Sequence, residues 1–201
     1  PLNFIEDCEK RYNNKIKRIA TEIAESGITE IVMIAGPSSA GKTTSAKKLR
    51  EHLYEAGINS YTVSLDDFYV DNCDAPRFPD GTPDFETVDA LDISFFQKAM
   101  TDLLEKGEAD LPEFDFLTGK RKEEYNHIKV SDNDVIIVEG LHALNPRITD
   151  HLPEERLLKI YINLSSRIYD KNGNIVAFKS VIGDEDLMIV TDSGIIIRVS
   201  L

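Results

Sequence analysis

Gly36-Pro37-Ser38-Ser39-Ala40-Gly41-Lys42-Thr43 has the form Gly-x4-Gly-Lys-Thr, and its residue types suit one chemistry, the cradling of a polyphosphate. Glycine lets the backbone wrap closely, so that its N–H groups point at phosphate oxygen. Gly36, Ser38, Ser39, Ala40, Gly41, Lys42, Thr43 and Thr44 are therefore the candidate nucleotide-binding residues. Lys42 would bridge the β- and γ-phosphates, and the Thr43 hydroxyl would ligate a cation, so ATP and Mg²⁺ are the expected cofactors. The competing reading is a fortuitous glycine turn.

Two acids stand where such a loop would need them. Asp66-Asp67-Phe68-Tyr69 follows the run Tyr61 to Leu65, and a carboxylate at a strand's C-terminal end can take a proton from an attacking hydroxyl or help hold a metal. Taken alone, two acids there are as readily a turn cap. Val135-Ile136-Ile137-Val138-Glu139 is an apolar run that delivers an acid, the pattern of a Walker B strand, and Glu139 would bind Mg²⁺ or orient the nucleophile. Lys42, Asp66 and Glu139 are the candidate catalytic residues, and Thr43 and Glu139 the candidate metal ligands. His142 follows Glu139 closely, but reads better as a hydrogen-bonded or surface histidine than as a site residue.

The elements around these residues alternate. Phe4, Ile5, Cys8, Tyr12, Ile16, Ile19, Ala20 and Ile23 recur at helical spacing up to Gly27. Ile31 to Ala35 is a short apolar run suited to a buried parallel strand, and Ala46, Leu49, Leu53 and Ala56 mark a helix ending at Gly57. Tyr61 to Leu65 is a second strand, and residues 70–86 form a long loop rich in Asp, Pro and Gly. Leu91 to Leu104 carries another helical stripe, and Val135 to Val138 and Leu158 to Ile162 are further strands. Such alternation predicts an α/β fold, a P-loop-type parallel sheet with flanking helices. Beyond residue 164 the pattern changes to three strand-like runs, Asn174 to Val181, Asp186 to Thr191 and Ile195 to Leu201, which predict a short antiparallel meander. The expected domains are thus a core over 1–163 and a β segment over 164–201.

Composition narrows the partners. Among 201 residues, 36 Asp and Glu face 23 Lys and Arg, a net charge of −13 that argues against electrostatic binding to nucleic acid or to an anionic membrane. Cys8 and Cys73 are the two cysteines and lack metal-site spacing. No apolar run approaches the roughly 18 residues of a membrane span. A cytoplasmic location is expected, and a homo-oligomer is left open. The first residue is Pro1 rather than Met, which points to a longer parent.

Several segments together resemble the uridine kinase and phosphoribulokinase group of P-loop kinases: GPSSAGKTT, SLDDFY, DFETVDALD, LPEFDFLTGKR, VIIVEGLHALNP and KIYIN. The likeness is greatest to the uridine kinase-like domain that, in some bacterial proteins, follows a threonyl-tRNA-synthetase-like region. It implies transfer of the ATP γ-phosphate to a nucleoside 5′-hydroxyl, with nucleotide and nucleoside as partners. By position it makes Asp66 the base and places Tyr69 near the nucleoside. Glu86 falls on the ribose hydroxyls, Phe114 and Arg121 in the acceptor site, and Glu139 after the Walker B strand. Uridine kinases commonly carry Tyr and His where this chain has Phe114 and Gly119, which puts uridine specificity in question.

The resemblance stops near residue 163. A uridine kinase should continue into an Arg-rich lid helix and another strand. Here DKNGNIVAFKSVIGDEDLMIVTDSGIIIRVSL instead resembles one blade of the C-terminal β-pinwheel of the DNA gyrase A subunit. Its surroundings after residue 166 hold Arg167, Lys171, Lys179 and Arg198 against five acids, a poor basis for wrapping DNA. The expectation is a chimera joined between about 163 and 170: a kinase core impaired or inactive for want of its lid. The alternatives are a fold chimera without catalytic function and, more weakly, a gyrase-derived DNA-binding module.

Overall fold

A computed structural model of the chain describes residues 2–37 and 40–162, with side chains from residue 9 onward, and beyond them the backbone of short strands only. Helix α1 (Leu2–Ser26) buries Ile16, Ala20 and Ile23, which a helical repeat places on one stripe. Strand β1 (Ile31–Ala35) is buried along its whole length, followed by α2 (Lys42–Glu55) and β2 (Ser60–Ser64). Helix α3 (Ile93–Lys106) starts where the Asp92 carboxylate accepts a hydrogen bond from the Phe95 amide at 3.0 Å. Two antiparallel hairpin ladders come next. β3 (Glu108–Leu111) pairs with β6 (Asn126–Lys129), and between them β4 (Phe114–Asp115) pairs with β5 (Lys120–Arg121). The chain then returns through β7 (Val135–Glu139), α4 (Pro146–Thr149) and β8 (Leu157–Tyr161).

The sheet runs β2-β7-β1-β8, and every neighbouring pair is parallel. Alternation along the strands explains why it needs a layer on each face. Ile31, Met33, Ala35, Ile136 and Val138 point to one side and pack with Phe96, Ala99, Met100 and Leu103 of α3. Val32, Ile34, Val135 and Ile137 point to the other, against Ile16, Ala20 and Ile23 of α1 and Ala46, Leu49 and Leu53 of α2. The sheet burying both faces is what lets β1 be apolar throughout and β7 apolar up to Glu139. The expected α/β class and its strands are observed; the hairpins within residues 108–129 have no counterpart in the periodicity, because their strands are short and largely polar.

Beyond residue 162 the described backbone comprises β9 (Ile168–Tyr169), β10 (Ile175–Ala177), β11 (Leu187–Val190) and β12 (Ile196–Val199). β9 pairs with β10 and β11 with β12, both antiparallel. The expected meander is thus two separate ladders among the described residues, and none of them joins β8. Most of the gyrase-like stretch lies outside the described residues.

His151 tests the packing beneath α3. Both its ring nitrogens are shielded and without a hydrogen-bond partner, and its ring meets Phe96 edge-on at 6.0 Å. Burial pushes its pKa below the usual 6.5, against the pull of Asp150. The native state therefore takes up a proton at lower pH than the unfolded chain, and stability drains away as pH falls below about 6.5. Urea unfolding at pH 7.5 and 5.5 should show a loss that His151→Leu diminishes; equal losses in both proteins contradict this origin.

Candidate functional site

The phosphate loop hangs between the end of β1 and the start of α2, and its glycines answer to geometry. A Cβ at Gly36 would lie 2.1 Å from the carbonyl oxygen of Ile162, just past β8, so only glycine permits the close approach of these two segments. Gly41 has φ 89° and stands before α2 without a side-chain cap, leaving the helix's first amides open to an anion. The Ala40 amide donates to the Pro37 carbonyl at 3.1 Å, and Lys42 Nζ reaches the same oxygen at 3.1 Å. The lysine is thereby tied back to the loop by an exposed hydrogen bond. Ser38 and Ser39 lie outside the described residues, and Thr44 is exposed.

Strand register brings the acid to the loop. Glu139 at the end of β7 stands level with Ser64 of β2 on one side and Ile34 of β1 on the other. Its Oε1 accepts from Thr43 Oγ1 at 3.3 Å and from Ser64 Oγ at 3.4 Å. Only 8% of Glu139 is exposed, and burial, then repulsion from Asp66, pushes its pKa above the usual carboxylate value. Lys42, Thr43 and Ser64 work in the opposite direction. Thr43, Ser64 and Glu139 make an all-oxygen donor set, the type a hard cation such as Mg²⁺ prefers.

Asp66 lies one turn away, in a short 3₁₀ turn over Leu65–Phe68 that Ser64 caps. The Asp66 amide donates to Ser64 Oγ at 3.3 Å, so one hydroxyl ties the segment carrying Asp66 to Glu139. The Tyr69 hydroxyl donates to the Phe85 carbonyl at 3.0 Å. Burial first, then the charges of Asp66 and Glu86, pushes the phenol's pKa well above its usual 10.0, which keeps it protonated and able to donate. Glu86 is exposed, and its carbonyl accepts from His142 Nε2 at 2.9 Å. His142 is thus hydrogen-bonded to the backbone, as its sequence context suggests.

Aromatic rings close this side. Tyr69 meets Phe85 at 4.8 Å and Phe114 at 5.7 Å, and Phe114 meets Phe116 at 5.1 Å, all edge to face. Phe114 is 5% exposed, while Phe116 at the hairpin tip is 67% exposed. Asp67 fastens the hairpin to the turn, its Oδ1 accepting from the Phe114 amide at 3.3 Å; burial pushes the Asp67 pKa up. Arg121 is engaged elsewhere than on an open surface. Both its terminal nitrogens donate to Asp92 Oδ2 at 3.2 Å, Nη2 also to the Tyr69 carbonyl at 3.3 Å, and the guanidinium lies 5.1 Å from the Phe95 ring centre.

The geometry unites Lys42, Thr43, Glu139 and Asp66, then Tyr69 and Glu86, with Phe114 behind them. Sequence reasoning missed Ser64 and Phe85, and singled out Asp67 beside Asp66 without the hairpin contact it makes. Ser64 had a signal, a hydroxyl residue two before an acid at a strand end; Phe85 had none, since its role rests on a contact between distant segments.

The phosphoribulokinase / uridine kinase family model matches residues 31–169. The chain belongs to that family. Family relatives include a uridine kinase of Lactobacillus helveticus, 28% identical over 138 residues that make up 69% of this chain and 63% of the relative. A uridine kinase of Borrelia duttonii is 30% identical over 144 residues, 70% of this chain and 64% of the relative. The chain thus spans a little under two thirds of the length of these relatives. A solved structure described as a possible uridine kinase from Bacillus stearothermophilus superposes with a TM-score of 0.54 at 22% identity, over 66% of this chain and 70% of that one. The YGR205w protein gives 0.52 at 19% identity over 73% and 67%. These structures share the fold, the parallel sheet with its flanking helices. Among the described residues no helix is long and apolar enough to cross a membrane.

Gly36→Ala should separate loop geometry from stability. The added methyl forces the loop and the end of β8 apart, so calorimetric titration with ATP and Mg²⁺ should show affinity falling at least about tenfold. Unchanged affinity would mean the close approach at Ile162 is irrelevant to binding.

Proposed function

We propose that this chain binds ATP with Mg²⁺ on residues 36–44 and is built to pass the γ-phosphate to a nucleoside 5′-hydroxyl. The observation that carries this reading is the convergence of the Thr43 and Ser64 hydroxyls on one carboxylate oxygen of Glu139, with Lys42 and Asp66 acting on the same group. Thr43 and Glu139 would hold the cation, which when bound would neutralise charge on the phosphate oxygens. Among the described residues no cluster of three or more His, Cys, Asp or Glu is suited to a metal, which fits a cation shared with substrate phosphates. Asp66 takes the proton of the acceptor hydroxyl as its oxygen bonds to the γ-phosphorus and the bond to the β-phosphate oxygen breaks, releasing ADP. Lys42 offsets the charge gathering on the phosphates. Tyr69 and Glu86 position the acceptor beside Asp66, Phe114 walls its ring, and Arg121 holds that wall to α3.

Residues 1–163 act as the kinase core and 164–201 as a separate β segment, a division supported by the antiparallel pairing of the described tail strands. The sequence after β8 offers only Arg167 near the place where lid arginines would complete the site, so turnover is low or absent while nucleotide binding survives. A fusion of a kinase core with a gyrase-like blade, without catalytic function, is the second reading, favoured by that change of strand pattern. The low basic content of the tail speaks against DNA as its partner. A cytoplasmic location follows from the nucleotide chemistry proposed.

Calorimetry should find ATP·Mg²⁺ bound by the wild-type chain and lost in Lys42→Ala, whereas Asp66→Asn keeps nucleotide affinity and lowers any nucleoside phosphorylation by about a hundredfold or more. Robust phosphorylation by the wild type, abolished in Lys42→Ala, overturns the low-turnover reading; absence of nucleotide binding overturns the kinase reading. The Mg²⁺-dependent part of that affinity should weaken on acidification at a higher pH than an ordinary carboxylate would dictate, because Glu139 must be charged to accept the cation and its pKa is raised. Glu139→Gln should remove that pH dependence; an unchanged profile in the variant assigns it to another group.

A further inference from the structure

We propose that Tyr12 is a positioning residue for the phosphate loop, its hydroxyl acting through Ser45 on the Gly41 carbonyl and so aiming the Lys42 amide at a bound polyphosphate. This rests on the nucleotide-binding part of the reading above and names a contributor outside both the loop and the sheet. Tyr12 belongs to α1, which ends at Ser26, before the residues 31–169 that the family model matches. The apolar stripe of α1 covers one face of the sheet, and Tyr12 gives the same helix a polar contact with the start of α2.

Two hydrogen bonds run from α1 to the loop. The Tyr12 hydroxyl lies 2.5 Å from Ser45 Oγ, and Ser45 Oγ donates to the Gly41 carbonyl at 2.8 Å. A serine hydroxyl has one proton, and Gly41 receives it, so Tyr12 is the donor in its own bond to Ser45. Ser45 is buried, and the Gly41 carbonyl accepts its amide as well, at 2.8 Å. Lys48, one turn along α2 from Ser45, fixes the half-buried tyrosine from the other side. Its Nζ lies 5.1 Å from the Tyr12 ring centre and donates to Oδ1 of the neighbouring Asn13.

A trans peptide unit is planar, so its C=O and N–H point in opposite directions. The Gly41 carbonyl is one end of such a unit, and the Lys42 amide is the other. Gly41, at φ 89°, has no side chain to limit its rotation, so the bonds its carbonyl accepts are what set the plane. With that oxygen turned into α2, the Lys42 N–H points back into the loop, where phosphate would lie. Linked hydrogen bonds also polarise one another. The proton that Tyr12 donates strengthens the donation by Ser45, draws electron density onto the Gly41 oxygen and makes the Lys42 N–H a better donor. Deleting the phenol oxygen removes this effect and leaves Ile16, Ala20 and Ile23 to hold α1 in place.

The test is calorimetric titration with ATP·Mg²⁺, alongside thermal melting, of the wild-type chain, Tyr12→Phe, Ser45→Ala, the double variant and Ile16→Val. Tyr12→Phe keeps the ring and should weaken ATP about fivefold, with a melting temperature within about 2 °C of wild type. Ser45→Ala should weaken ATP at least as much, and the double variant no further, because Tyr12 acts through Ser45. Ile16→Val, which thins the packing of α1 alone, should lower the melting temperature at least as far as Tyr12→Phe and leave ATP affinity unchanged. Wild-type affinity in Tyr12→Phe, fully additive losses in the double variant, or an equal loss of affinity in Ile16→Val overturns the assignment to Tyr12 while the nucleotide reading stands. A wild-type chain that binds no ATP overturns the nucleotide reading itself, and the role of Tyr12 with it.

Discussion

The Glu139 carboxylate is drawn out of water at the end of β7, and its pKa is raised because burial and Asp66 outweigh the partners that favour its charge. Burial and the neighbouring Asp66 favour a proton on it, while Lys42 and the hydroxyls of Thr43 and Ser64 favour the anion. These partners come from the first turn of α2, from the end of β2 and from the turn after it, so the compromise holds only while the parallel register of β2, β7 and β1 holds. A buried carboxylate with donors on one oxygen keeps acceptor capacity on the other. That spare capacity is what a cation site on this edge requires, and the remaining geometry is arranged around it.

Ser64 is the link between the two halves of the site. Its hydroxyl donates to Glu139 and accepts from the Asp66 amide, so the residue that shapes the turn also touches the buried acid at the end of β7. From Asp66 the coupling passes outward through Tyr69 to the Phe85 backbone, and through Asp67 to the hairpin of β4 and β5. The surroundings of Tyr69 and Phe114 are therefore built from hydrogen bonds between loops, whereas those of Lys42 and Glu139 are built on the sheet. That difference suits a family whose members share phosphate chemistry and differ in what they phosphorylate.

The sequence made the nucleotide side legible because its requirements are local. Gly36 and Gly41, Lys42 and Thr43 sit within one turn of chain, and the apolar runs Ile31–Ala35 and Val135–Glu139 announce buried strands by themselves. The acceptor side was legible mainly through resemblance. Tyr69 feels the charges of Asp66 and Glu86 and meets Phe114, and Arg121 is bound to Asp92 with its guanidinium near Phe95. Nothing in the spacing of residues 108–129 announced the two hairpins that hold the aromatic rings, since two-residue strands carry no periodicity.

By itself the sequence determined the α/β class, the phosphate loop and the two acids, because alternation of burial and a glycine pattern are properties of neighbouring residues. Only the tertiary structure decided which side chains share a site. Glu139 meets Thr43 across 96 residues, Phe114 meets Asp67 across 47, and Asn72 fills the gap at Gly119, through contacts set by strand order and loop crossing rather than by local preference.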